Sequence, residues 1–258
     1  MFFLFLFFFI FASGQTPMIK EFSPTGKLRA SINTGNPILA KRADPNQSPT
    51  GVSVDLAKEL AKRLGLQVEY VVFNAAGLSV DAVKQDKADI GFFAIDTLRG
   101  EGIVFTAPYV LIEGSYLVKN ESPLKSNEEI DRKEHRIAVG KGSAYDLFLT
   151  RELKNAQIYR APTSPLVVDT FLEKKLEVAA GVKQQLEMDA NRIGNLRLLP
   201  GNFMVIAQAM GLPKNRSQAA QNYLHAFIEE MKSSGFVARS LARHRIEGAA
   251  VAPDMPKQ

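Results

Sequence analysis

The chain has 258 residues, 46% hydrophobic and 23% charged, with 32 Lys and Arg against 27 Asp and Glu, a formal charge of +5 and no cysteine. This is the composition of a folded globular protein, not of a disordered one. The bases are scattered among the acids, without a Lys/Arg block, a zinc-ligand spacing or the aromatic pattern of an RNA-binding sheet, so nucleic acid is not expected as a partner. Zero Cys excludes both a disulfide framework and an acylated lipoprotein cysteine.

The chain begins "MFFLFLFFFIFASGQTP", twelve apolar residues and then small ones. Such a run is short for a bilayer span and suits the apolar core of an export signal, with Ala12-Ser13-Gly14 as a small-x-small cleavage site before Gln15. Residues 1–14 are therefore expected to be a signal peptide, although its first part carries no Lys or Arg. No later stretch is apolar enough to span a bilayer.

From Lys27 the sequence alternates strand-like and helix-like segments, which argues for an α/β architecture. Leu28, Ala30 and Ile32 alternate in the strand "KLRASIN". "SVDLAKELAKRLG" sets Val54, Leu56, Ala57, Leu60, Ala61 and Leu64 on one helical face, with Ser53 as the expected N-cap, Glu59 and Arg63 as an i,i+4 pair, and Gly65 as the stop. The strand "QVEYVVF", a helix around Leu78 to Gln85 and the apolar strand "IGFFAI" complete a parallel βαβ series. A second series follows Tyr109: "SYLVK", "RIAVG", a helix from Ser143, "QIYR", a helix from Ser164, "EVAAG" and a helix from Lys183. The last third holds the apolar run "FMVIAQAMGLP" and a long helix from Arg216 to Ser234. Two α/β units suggest two lobes; no internal repeat is visible in the sequence.

Three stretches resemble the bacterial extracellular solute-binding proteins of the amino-acid-binding type, family 3. They are "GVSVDLAKELAKRLG", with Val52 and Ser53 in place of that family's aromatic and acidic residues; "DIGFFAIDTLRGEGIVFTAPY", with Arg99, Phe105 and Pro108-Tyr109 at its spacing; and "VGKGSAYD". The resemblance runs in order from about Lys27 to Arg243. It implies a type II periplasmic-binding-protein-like clamp of two lobes, each a mostly parallel sheet flanked by helices. Lobe 1 would be 27–113 plus 207–258 and lobe 2 would be 114–206, joined by two crossing hinge segments near Leu111 to Tyr116 and Met204 to Gln208. The implied role is capture of a small polar solute, an amino acid or related amine, for an inner-membrane ABC permease, by a monomer in the periplasm without cofactor.

The residues themselves allow roles to be weighed. Arg99 stands just past the carboxyl end of a strand, where open α/β sheets present ligands, and its planar fork matches a carboxylate; the resemblance assigns it the ligand's α-carboxylate, and the plain alternative is a surface pair with Glu101. Gly142 and Ser143 open a helix after "RIAVG" and offer backbone N–H groups and a hydroxyl to an anion, a reading that overlaps with simple N-capping. Asp96 replaces the family's usual Thr and is either a cap of the turn "TLRGEG" or a partner for a cationic ligand group. Val182 stands where relatives commonly place the acid that binds the ligand's ammonium. If the cation anchor has moved to Asp96, zwitterionic or cationic ligands are favoured. Asn36 in "NTGNP" and Asn74 after "VVF" are polar candidates at the cleft, or turn residues. His135, His225 and His244 show no metal spacing and read as structural. A periplasmic enzyme on the same scaffold, similar to cyclohexadienyl dehydratase, is the competing function; it needs a general acid, for which Asp96 is the candidate.

Overall fold

The structure, a computed structural model, describes residues 15–254; the expected signal segment, 1–14, lies outside them. A short helix α1 (Gln15–Phe22) precedes β1 (Leu28–Asn33), α2 (Val52–Leu64), β2 (Val68–Phe73), α3 (Ala76–Lys84) and β3 (Ile90–Ala94). One helical turn, α4 (Thr97–Gly100), leads into the long strand β4 (Ile103–Lys119). The chain continues through β5 (Arg136–Gly140), α5 (Ala144–Glu152), β6 (Gln157–Ala161), α6 (Val167–Glu173), β7 (Val178–Val182), α7 (Lys183–Ile193) and β8 (Leu196–Leu198). It returns along β9 (Met204–Pro213) and ends with α8 (Gln218–Ser233), α9 (Phe236–Arg243) and β10 (Ala250–Val251).

The strands form one mixed sheet in the order β2-β1-β3-β9-β4-β7-β5-β6, with β8 and β10 added on β4. Within it β2-β1-β3 and β7-β5-β6 are two parallel units. The antiparallel strands β9 and β4 join them. Every residue of β3 and β7 is buried, as expected of parallel strands covered on both faces by helices. Helix α2 buries the face read from its sequence and ends on Gly65 in the left-handed conformation at φ 67°. Glu59 pairs with Arg63 at 3.0 Å, and Arg63 also binds Glu230 of α8.

Ser53 is not the cap of α2. The helix begins at Val52, because Gly51, at φ 129°, turns the chain before Ser53 is reached, and the Ser53 hydroxyl lies 3.2 Å from the buried phenol of Tyr109 instead.

Each parallel unit is closed by the same clamp. In the first, Asp89, just before β3, accepts from the Arg29 backbone N–H, Nε and Nη2, while Nη2 also reaches the Asp86 carbonyl. In the second, Glu177, just before β7, accepts from the same three groups of Arg136, whose Nη2 reaches the Lys175 carbonyl. Asp86 and Lys175 both adopt positive φ. The two units are thus structural repeats although the sequence shows none.

Where β4 and β9 cross between the units, Leu111, Ile112, Glu113 and Gly114 face Ala207, Ile206, Val205 and Met204. Strand β10 adds a third strand there, on Val110 and Leu111. Glu113 binds Lys183 at 2.8 Å and Asn202 at 3.1 Å; the Lys183 hydrogen bond holds its carboxyl below the usual range. Among the described residues no helix is long and apolar enough to cross a membrane.

Candidate ligand-binding cleft

The carboxyl ends of β1, β3, β5 and β7 converge on one cleft, the place where open parallel sheets leave room between diverging loops. It takes walls from both parallel units. Asn33, Asn36, Phe92, Ala94 and Arg99 come from one side, Ser143, Ala144, Ser164 and Val182 from the other, and Ile206 and Gln208 from the crossing strand β9.

Arg99 is 4% exposed, so the surface pair with Glu101 is not formed. Its Nη1 donates to the Ala94 carbonyl at 3.1 Å and its Nη2 crosses to the Gly142 carbonyl of the other unit at 3.0 Å. Burial lowers its pKa to about 10, against the opposing pull of Asp96, so the guanidinium is charged at neutral pH.

Asp96 caps α4 as read, its Oδ1 accepting from the Leu98 N–H at 2.9 Å. Its Oδ2 is taken by Arg151 of α5 at 2.8 Å, and Asp96 does not line the cleft. The cation that meets it comes from the protein's own second unit, so the carboxylate offered to a ligand ammonium is already engaged. This pair and the Arg99 to Gly142 bond tie the two units together across the cleft. At the same seam a Cβ on Gly142, whose φ is 71°, would lie 3.3 Å from the Gly77 Cα.

Ser143 is the N-cap of α5, accepting from the Asp146 N–H at 3.0 Å. Asp146 replies by accepting the Gly142 N–H at 2.8 Å and is itself bound by Arg160. The Gly142 N–H is therefore used within the loop, and the group that Gly142 turns to the cleft side is its carbonyl, on Arg99. The Ser143 N–H is likewise bound, to the Gly140 carbonyl. The amides left for an anion are those of Ala144 and Tyr145, at the positive end of α5.

Val182 lines the cleft at the head of α7 and supplies no charge. Asn36 lines it too, with Oδ1 buried and unpartnered among the described residues, while its carbonyl holds the turn through Leu39 and Ala40. Asn74 is exposed and off the cleft: its carbonyl would lie 2.3 Å from a Cβ on Gly35, so it shapes the turn of the neighbouring loop. The lining residues not anticipated include Gln208, Gln185 and Asp189. Gln208 is 6% exposed with its side-chain amide unpaired among the described residues. Gln185 and Asp189, at i,i+4 on α7, bind each other at 3.0 Å, and Asp189 also holds Arg192 at 2.9 Å. The histidines are apart, His135 on the Ile130 carbonyl and His244 on Asp55, and among the described residues no acid or histidine cluster suits a metal ion.

Known proteins share this fold. The probable histidine-binding protein of Campylobacter jejuni is 23% identical over 205 residues, 77% of each chain. Among solved structures, the solute receptor for L-cysteine of Neisseria gonorrhoeae superposes with a TM-score of 0.77 at 21% identity, over 89% of this chain and 94% of that one. The amino acid ABC transporter substrate-binding protein of Streptococcus pneumoniae bound to L-arginine gives 0.74 at 17%, over 87% and 97%. An ancestral amino acid-binding protein, a precursor of cyclohexadienyl dehydratase, gives 0.73 at 21%, over 87% and 97%. The model of the bacterial extracellular solute-binding proteins, family 3, matches residues 28–245, and the chain belongs to that family.

Proposed function

We propose that the protein is the exported receptor of an ABC importer, which closes two lobes around a small polar carboxylate solute of the amino-acid class and presents it to an inner-membrane permease. The observation that carries this reading is Arg99: a buried guanidinium at the strand ends, facing a cleft and bonded to the opposite unit. A desolvated cation held by carbonyls alone is strongly stabilised by an incoming carboxylate, and the Ser143 hydroxyl with the free amides of α5 offers the same anion a second set of donors. The lobes divide at the β4–β9 crossing, with 27–113 and 207 onward on one side and 114–206 on the other. A ligand that touches both binds the closed arrangement better, and that difference drives closure. Periplasmic residence, as a monomer released from the 1–14 signal, completes the reading.

The dehydratase alternative needs a carboxylic acid free to transfer a proton in the cleft. Asp96, its candidate, is fixed by the Leu98 N–H and Arg151 and lies off the cleft. We therefore assign binding without catalysis.

A thermal-shift screen against amino acids, amines and small carboxylates tests the assignment. A melting temperature that climbs with concentration for carboxylate-bearing compounds is the expected result, by about 2.7 kcal/mol of added stability at a hundred times Kd. Stabilisation by simple amines, with carboxylates inactive, would refute it.

A further inference from the structure

Among the described residues, the cleft carries a carboxylate partner in Arg99 but no free carboxylate for an amine. Each acid near it already has a cation: Asp96 has Arg151 at 2.8 Å, Asp146 has Arg160 at 3.0 Å and Asp189 has Arg192 at 2.9 Å. Asp189 is also remote, since seven residues of α7 at about 1.5 Å rise each set it roughly 10 Å along the helix from Val182.

What the cleft leaves unpaired is neutral. Among the described residues, Asn36 Oδ1 is buried with no partner, and Gln208, 6% exposed and lining the same cleft, makes no side-chain hydrogen bond. Leaving a buried polar group unsatisfied is costly, so the Asn36 oxygen, with the unpaired Gln208 amide on the same wall, points to a ligand group that satisfies it. Their placement fits a single such group. Strands β1, β3 and β9 are neighbours; Asn36 follows β1, and Gln208 on β9 pairs with Ala94 of β3, whose carbonyl holds Arg99. Both amides therefore stand on the sheet edge that presents the guanidinium.

We propose that Asn36 and Gln208 recognise the 2-substituent of a small carboxylate through their uncharged side-chain amides, so that the cleft accepts 2-hydroxy acids as well as 2-amino acids. This rests on the reading of Arg99 as the carboxylate's partner. An ammonium loses much more hydration than a hydroxyl on entering the cleft, and a carboxylate opposite it would restore that loss. Two neutral amides restore less of it, while a hydroxyl is satisfied by donating its proton to one amide oxygen and accepting an N–H from the other amide. The margin between amine and hydroxyl shrinks accordingly. The apolar lining by Val167, Val182 and Leu186 receives the remainder of the ligand.

Titration calorimetry on the purified protein tests this with matched pairs: L-alanine and L-lactate, L-leucine and L-2-hydroxy-4-methylpentanoate, L-phenylalanine and L-3-phenyllactate. In the pair that binds most tightly, the two affinities should agree within about tenfold. Gln208→Glu, and independently Asn36→Asp at its more accessible turn, should shift the ratio at least about tenfold toward the amino member, since each adds the missing charge. A wild-type preference for the amino acid beyond tenfold, or a ratio that neither variant moves, overturns the amide proposal and leaves the carboxylate receptor standing if Arg99→Ala still abolishes amino-acid binding. If no member of any pair binds, both readings fall.

Discussion

Replacing Arg99 with alanine is expected to abolish ligand binding while the protein still folds. The guanidinium is buried in a cleft and charged, and a carboxylate that reaches it gains a charge-assisted contact away from water. Truncating one partner of such a pair costs about 2–5 kcal/mol of affinity, or roughly thirtyfold to several thousandfold. The fold survives because, of the two carbonyls released, Ala94 lies at the cleft and Gly142 is partly exposed, so water can replace the lost donors. Arg99→Lys keeps the charge but not the planar fork and should fall between the two. Calorimetry with the compound selected by thermal shift, alongside a melting curve of each variant, measures both quantities. An alanine variant that binds as tightly as the wild type would show that Arg99 is not the anchor.

The second large effect is on stability. The Asp89 side chain is fully buried and accepts three hydrogen bonds from Arg29. Asp89→Ala strips these from a largely buried guanidinium and from a backbone N–H, and removing one partner of a buried pair costs about 3–5 kcal/mol. The Glu177 clamp has the same bonds, but its side chains are 43% and 32% exposed, so solvent screens the pair and Glu177→Ala should destabilise distinctly less. Urea unfolding of the two variants in parallel checks the order. Equal losses would mean that burial does not set the difference between the two clamps.

The architecture was legible where periodicity decides it. Alternating strands and amphipathic helices in βαβ order gave the parallel units, and Gly65 and the Glu59–Arg63 pair lie as read because both depend on neighbours within one helix. The repeat between the units was hidden because the clamp uses Asp in one and Glu in the other, and its spacing depends on where each chain re-enters the sheet. Arg99, Ser143, Asn36 and Val182 line the candidate cleft, and their places follow from strand ends. Of the two roles read for Asp96, the cap depends on Leu98 two residues on and is seen, whereas its ion pair is with Arg151, 55 residues away on the other unit, and leaves no local trace. Gln208 escaped notice inside "FMVIAQAMGLP", although a lone amide in an otherwise apolar strand was itself the signal. Gln185 and Asp189 were visible only as a helical i,i+4 pair, and nothing in their spacing says which face meets the cleft.

Ligand-dependent closure is the central claim, and the distance between the units measures it most directly. The chain has no cysteine, so Leu78→Cys in α3 and Lys141→Cys beside Gly142 give two unique, exposed attachment points for spin labels on opposite sides of the seam. With the solute selected by thermal shift, pulsed dipolar spectroscopy should show a broad or longer distance in the free protein collapsing to one short distance in the complex. The Arg99→Ala variant should keep the free distribution at the same solute concentration. A single short distance in the free protein, unchanged by a solute that raises its melting temperature, would contradict the account.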